Sequence, residues 1–297
     1  MLAFKSHKAF SLIELSIVIL VIGILIAGVV QGTSMVKKSQ LVIARNLTKN
    51  SPVSGIKDLA AWYETSLESS FKTSEEIDGT IISNWYDNNP QSISKINATQ
   101  FTDSLKPKFY ENVFPNGIPG IRFDGTDDKM MFNGSFLIGS EFTVFAVEQK
   151  RSSSTPYRMF LGGGIADYSA SFAFGYDKND NQAFGGGSYG VDVIYTNSSL
   201  AYTQPIARMH TAMLQKDVAR SYWLNGGITP EKTISDTIFI LNSSNLANTM
   251  TIGFYPPTNH YYNGDVAELI FFTRALKTEE RQSIEAYLAK KYKITIS

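Results

Sequence analysis

The spacing of apolar residues divides this chain into two unlike parts. Residues 12–30 are apolar or small apart from Glu14 and Ser16. A run of about 19 such residues is close to what crosses the hydrocarbon core of a bilayer. Over residues 35–50, Val36, Leu41, Val42, Ile43 and Leu47 recur at loose helical spacing with polar residues between them. Pro52 predicts the end of that helix. From Leu12 to Lys49, a rise of 1.5 Å per residue gives about 55 Å, with an outer half amphipathic enough to pack on a globular domain.

Beyond Pro52 the period shortens to two. Residues 142–147 and 171–176 alternate as strands do, the latter placing Phe172, Phe174 and Tyr176 on one face; Val191, Val193 and Tyr195 alternate likewise. Further strands are predicted over 211–214, 221–224, 249–255 and 266–272. The glycines at 162–164 and 185–187, and Asn225-Gly226-Gly227, read as turns between them. Many short strands with glycine punctuation predict a β-sandwich of the jelly-roll kind. One helix closes the chain. Thr278 is its expected cap, Glu279 and Glu280 fill its first turn, and Lys290, Lys291 and Lys293 stand at its end to complement the dipole. Its apolar stripe is Ile284, Tyr287 and Leu288. The predicted class is α+β, mainly β: a long N-terminal transmembrane helix, a jelly-roll β-sandwich and a C-terminal helix.

Composition narrows the function. Lys and Arg number 27, as do Asp and Glu, so the formal charge is zero and no basic excess points to nucleic acid. The absence of cysteine excludes a thiolate nucleophile, a thiolate ligand or a disulfide. Lys5, His7 and Lys8 precede the apolar run, and the positive-inside bias places them in the cytoplasm with the bulk of the chain outside. Lys37 and Lys38, on the far side, run against that bias. A secretory signal cut near Ala27-Gly28, or a plain signal anchor, shares this layout. Neither explains Glu14, since a carboxylate in lipid is costly and is normally retained for a role.

The stretch Lys8-Ala9-Phe10-Ser11-Leu12-Ile13-Glu14 resembles the cleavage and methylation segment of type IV prepilins and type II secretion pseudopilins. The resemblance implies a leader of residues 1–9, cut by a prepilin peptidase between Ala9 and Phe10, with N-methylation of Phe10. It implies a pilin-type helix over residues 10–50, membrane-embedded over about 12–32. Glu14 would neutralise the amine of a neighbouring subunit in a filament, a pairing that makes a buried charge tolerable. The family usually has Gly where this chain has Ala9, which is small enough for the same pocket.

A second resemblance covers residues 53–297. It is carried by Ile121-Arg122-Phe123-Asp124-Gly125-Thr126-Asp127-Asp128, by Asn263-Gly264-Asp265-Val266-Ala267-Glu268-Leu269-Ile270 and by the Arg274-Ala275-Leu276 and Glu279-Glu280-Arg281 that follow. Ala61-Trp62-Tyr63, Trp85-Tyr86-Asp87, Asn97-Ala98-Thr99-Gln100 and Tyr222-Trp223-Leu224-Asn225-Gly226 support it. This part resembles the concanavalin A-like lectin/glucanase group in its laminin-G-like branch. The resemblance speaks to fold and leaves the ligand open.

Enzyme chemistry is not expected. The glucanase pattern Glu-x-Asp-x-x-Glu is missing; Glu76-Ile77-Asp78 lacks the second Glu. Asp265 and Glu268, in a predicted strand, should point to opposite faces. His7, His210 and His260 are isolated, and no Gly-x-Ser-x-Gly elbow is present. Calcium is the one cofactor entertained, since the resemblance implies rim sites with oxygen ligands. Asp177, Asn179 and Asn181 offer oxygens at alternate positions, with a polar hairpin turn as the competing reading. Asp124, Asp127 and Asp128 could also ligate, or form a tight turn. Tyr189, Tyr255, Tyr261 and Tyr262 lie near predicted loops and could stack on sugar rings, with core packing the alternative. The expected protein is a minor pilin or pseudopilin subunit of the bacterial inner membrane, spanning it once with the N-terminus cytoplasmic. It would display a domain that binds a glycan or a surface protein. A purely structural pseudopilin and a membrane-tethered glycan hydrolase are the other readings.

Overall fold

A computed structural model describes residues 11–153, 157–164, 172–186, 193–235 and 250–297. Helix α1 runs unbroken over Leu12–Lys49. Ser11 caps it, its hydroxyl accepting the Ile13 N–H at 3.3 Å, while the Glu14 carboxylate accepts the Ser11 N–H at 2.9 Å. The helix stops at Asn50, before Pro52, as predicted. Its apolar first half is exposed from Leu12 to Val30, whereas Ala44 and Thr48 near its end are buried.

Eighteen strands follow among the described residues. They are β1 (Leu59–Glu64), β2 (Asn84–Trp85), β3 (Ala98–Thr99), β4 (Lys108–Phe114), β5 (Ile118–Asp124) and β6 (Met130–Phe132). Next come β7 (Phe142–Lys150), β8 (Arg158–Gly163), β9 (Phe172–Tyr176), β10 (Asn181–Gly186), β11 (Val193–Ser199) and β12 (Arg208–Gln215). The last are β13 (Ala219–Leu224), β14 (Lys232–Ser235), β15 (Met250–Ile252), β16 (Phe254–Tyr255), β17 (His260–Tyr261) and β18 (Asn263–Phe272). Helix α2 (Thr278–Tyr292) closes the fold.

Two antiparallel sheets face each other. The first has the order β14-β13-β12-β7-β18-β5-β4, with β1 pairing the far end of β18. The second has the order β11-β10-β9-β8-β15-β6-β3-β2. The hairpin β16–β17 stands apart from both. Tyr63, Trp85, Phe123, Phe142, Phe174 and Phe271 help fill the space between the sheets. This is the β-sandwich the sequence predicts, with one layer more. α2, through Ile284 and Leu288, and the end of α1 cover the outer face of the first sheet over Phe145, Ile270 and Phe272. That cover is why β7 is buried at every position, rather than dry on one face and wet on the other.

Several local expectations need correction. Gly162 and Gly163 lie inside β8, and Gly185 and Gly186 inside β10, so neither pair makes a turn. At Gly162 an added Cβ would stand 2.4 Å from the Phe254 carbonyl oxygen; glycine is required because β16 presses its backbone against the sheet. The residue that caps α2 is Lys277, and Thr278 is already helical. Glu280 performs the capping, accepting the Lys277 N–H at 3.0 Å while holding both Nη atoms of Arg274 at 2.7 Å. Lys291 does not face solvent at the helix end but is fully buried. Asp265 and Glu268 do not point to opposite faces. A bulge between Val266 and Glu268 inserts Ala267, so both carboxylates reach the helix-covered side.

Candidate functional site

Four places among the described residues gather chemistry: the start of α1, the junction of α1 with the head, a buried network between the sheets, and one rim of the sandwich. At the helix start, Ala9 and Phe10 lie outside the described residues. Glu14 is exposed, and its carboxylate is folded back on the Ser11 N–H at 2.9 Å. It therefore sits at the positive end of the helix dipole.

At the junction, Lys291 is held 3.0 Å from Glu64 and 2.8 Å from Glu268, all three fully or almost fully buried. Trp62 Nε1 donates to Glu268 at 2.8 Å, as does the Tyr287 hydroxyl at the same distance, and the Tyr292 hydroxyl donates to it at 2.9 Å. The Tyr287 hydroxyl also meets the Thr48 hydroxyl of α1 at 3.2 Å. Burial pushes the Glu64 carboxyl up. Lys291, the Ser66 and Ser70 hydroxyls and the Leu67 N–H outweigh it and hold the group below its ordinary value. Burial pulls Lys291 down, but the two carboxylates raise it above the ordinary lysine range. These two carboxylates flank one ammonium beneath a helix and face no open groove.

A second buried network lies between the sheets. Glu148 accepts from Tyr176 Oη at 2.6 Å, from His210 Nε2 at 2.8 Å and from the Tyr262 hydroxyl. Burial lowers His210, so the imidazole is neutral. With Nε2–H spent on Glu148, its Nδ1 accepts the Tyr222 hydroxyl at 2.8 Å. His210 and Glu148 are completely enclosed. The network therefore specifies the core and offers no surface to a ligand.

The rim is built from the β5–β6 turn and the β16–β17 hairpin. Asp124 Oδ1 accepts the N–H of Thr126 at 2.8 Å, of Asp127 at 3.2 Å and of Asp128 at 3.4 Å. Asp128 returns a carboxylate oxygen to the Asp124 N–H at 3.0 Å. The tight turn and the acidic cluster are thus one object, with one oxygen from each of Asp124, Asp127 and Asp128 within 4.8 Å of the others. Burial first, then repulsion from Asp124, pushes Asp128 up to about 7. Such a trio is chemically suited to a hard cation. Arg158 Nη1 ties the turn to the hairpin, donating to the Gly125 carbonyl at 3.2 Å and the Tyr261 carbonyl at 2.9 Å. The Tyr261 ring stacks on Phe254 with centroids 4.4 Å apart, and Lys129 Nζ lies 4.7 Å above the other ring of that pair.

Of the four tyrosines singled out in the sequence, Tyr261 is the one this rim presents, half-exposed. Tyr262 is fully buried, donating to Glu148, and Tyr255 is only 6% exposed, so neither can stack on a sugar. Tyr189 lies outside the described residues. Asp177, Asn179 and Asn181 come together, but within a turn. Asp177 accepts the N–H of Asn179 at 2.7 Å and of Asn181 at 2.9 Å, and the Asn181 side-chain amide at 3.0 Å. Sequence reasoning missed Lys129, which follows the turn directly, and Arg158 and Phe254, which join it only through the fold. It also missed the Lys291 junction, for which buried Lys and Glu at distant positions left no local signal.

Residues 4–30 match the prokaryotic N-terminal methylation motif. No curated protein matches the chain. Among solved structures, Trypanosoma rangeli sialidase in complex with 2,3-difluorosialic acid is similar at 14% identity and a TM-score of 0.51, over 79% of this chain and 33% of that one. The same enzyme in complex with 2,3-difluoro-KDN gives 13% identity and a TM-score of 0.52, over 86% of this chain and 38% of that one. The chain thus spans about a third of the length of the sialidases it matches, and at such identity the likeness speaks to fold alone. The methylation motif and the exposed apolar helix fit membrane anchoring and pilus assembly.

Proposed function

We propose that this protein is a low-copy, pilin-like subunit whose head is a concanavalin A-like, laminin-G-like sandwich that binds a glycan outside the inner membrane. Prepilin peptidase cuts it between Ala9 and Phe10 and methylates the new amine, and Glu14 pairs with the amine of a neighbouring subunit during assembly. The N-terminus faces the cytoplasm and the head faces outward. The head contributes no catalysis.

The observation that carries this reading is the continuity of one helix. It begins inside a methylation motif and ends, without a break, buried under a β-sandwich. The rim supports a binding role, since Tyr261 offers a ring face for sugar C–H groups and the Asp124 turn offers oxygens for hydroxyls or a cation. The size of the head argues for a tip or low-copy position, because a domain of about 245 residues would strain close packing along a shaft.

Mass spectrometry of the membrane-extracted protein tests the first half. An N-methyl-Phe10 terminus supports it, and an intact Met1 or a cut after Ala27 overturns it. A glycan array probed with the full chain and with Tyr261→Ala tests the second half. Binding by the parent that the variant loses supports it; equal binding by both removes the rim as the site.

A further inference from the structure

A groove of about 530 Å³ opens between α1 and the head. Val30, Thr33, Lys37 and Lys38 line it from the helix, and Glu76 and Glu111 from the head. Half-buried Leu41 and buried Phe109 supply apolar lining. Arg45 also borders the groove, its Nη1 paired with Glu68 at 2.8 Å and its Nε donating to the Ser66 carbonyl at 2.7 Å, and its charge also acts on Glu76. None of Lys37, Lys38, Glu76 and Glu111 makes an ion pair among the described residues.

The place of the groove along the helix matters as much as its charges. The inference rests on the reading that α1 spans the bilayer before assembly. An apolar run of about 19 residues at 1.5 Å each covers about 28 Å, nearly the full hydrocarbon core, and leaves Val30 at its edge. Thr33 then stands among the headgroups. Lys37 is about 10 Å above Val30, within reach of a phosphate by extending its stem downward. The lower mouth of the groove therefore opens into the headgroup layer. The two lysines that run against the positive-inside bias are the ones placed there.

We propose that this groove seats the phosphoethanolamine headgroup of a bilayer lipid, with the phosphate on Lys37 and Lys38 and the ammonium on Glu76 and Glu111. The charge pattern selects among headgroups. A glycerol-type anionic headgroup satisfies the lysines and leaves the two carboxylates repelled. A choline headgroup has the right charges but no N–H to donate to a carboxylate. A primary ammonium has three. Bound this way, the lipid seats the head on the membrane surface in one orientation until the subunit is extracted.

Native mass spectrometry of the full chain in detergent tests this, with dioleoyl phosphatidylethanolamine, phosphatidylcholine and phosphatidylglycerol added in equal amounts. Phosphatidylethanolamine should be retained at least threefold over either of the others. Lys37→Gln/Lys38→Gln should lose that retention. Glu76→Gln/Glu111→Gln should reverse the preference toward phosphatidylglycerol. All four positions are on the groove surface, and thermal melts matching the parent would establish that the variants are folded. Equal retention of the three lipids, a parent preference for phosphatidylglycerol, or a dimer lost in the same variants would overturn the proposal; the last would mark the groove as a contact between copies. Flotation with phosphatidylcholine vesicles separates this from the membrane reading. A chain that floats but retains the lipids equally sinks the headgroup site alone, whereas one that does not float sinks both.

Discussion

Lys291 Nζ stands 3.0 Å from Glu64 Oε2, with both side chains fully buried and the two residues 227 positions apart in the chain. The ammonium also serves Glu268, so one positive charge bridges a carboxylate on each of two strands, β1 and β18, beneath α2. Removing one partner of a buried pair leaves an uncompensated charge, at a cost of about 3–5 kcal/mol. Lys291→Met should therefore lower the unfolding free energy by that amount in a urea titration. Adding Glu64→Gln and Glu268→Gln to the same chain should restore most of it.

Asp128 makes the stability of the head depend on pH. Its folded value of about 7 lies above its ordinary 3.8. Between these values the folded state binds the extra proton, so stability falls as pH rises through that window and stays at the lower level above it. Asp128→Asn should raise Tm at pH 8 by a few degrees and leave it unchanged at pH 3. In the parent, millimolar calcium at pH 8 should produce a similar rise, absent at pH 5. Differential scanning fluorimetry reads both.

Gly253 has φ +82, and a Cβ there would meet Phe123 Cδ1 at 2.1 Å. Both the backbone and the core forbid a side chain at that point. Gly253→Ala should cost about 3 kcal/mol or more. The rim hairpin that begins at the next residue should loosen with it, seen as faster amide exchange at Tyr261.

Under the proposed function, Glu14 serves assembly and not processing. Glu14→Ala should still yield an N-methyl-Phe10 terminus, while the sheared filament fraction falls at least tenfold. Loss of the methylated terminus in that variant would place the carboxylate in peptidase recognition instead. Ala9→Gly should speed cleavage, followed as the ratio of precursor to mature chain.

The sandwich was legible because Phe172, Phe174 and Tyr176 alternate, and the two helices because of their apolar periodicity, Pro52 and the charges flanking α2. What escaped is non-local. The glycines of β8 and β10 looked like turns because a turn glycine and a glycine shaved to admit a neighbouring backbone carry the same letter. The bulge at Ala267 leaves no mark in composition, yet it turns Glu268 toward Lys291. At the rim, Asp124, Asp127 and Asp128 were visible as candidates. Arg158 and Phe254, which complete that corner, arrive from separate strands that only the fold brings together. Tyr255 and Tyr262 failed as surface residues because adjacency to a loop does not decide which way a ring points.

No flexible linker separates α1 from the head: Thr48 of the helix is hydrogen-bonded to Tyr287 under the sheet. Under the proposed function, a tug on the bound ligand would reach the base of the helix as axial load through a rigid lever. The first thing to yield would be a grip or a subunit boundary, and a slack tether would have no part in it.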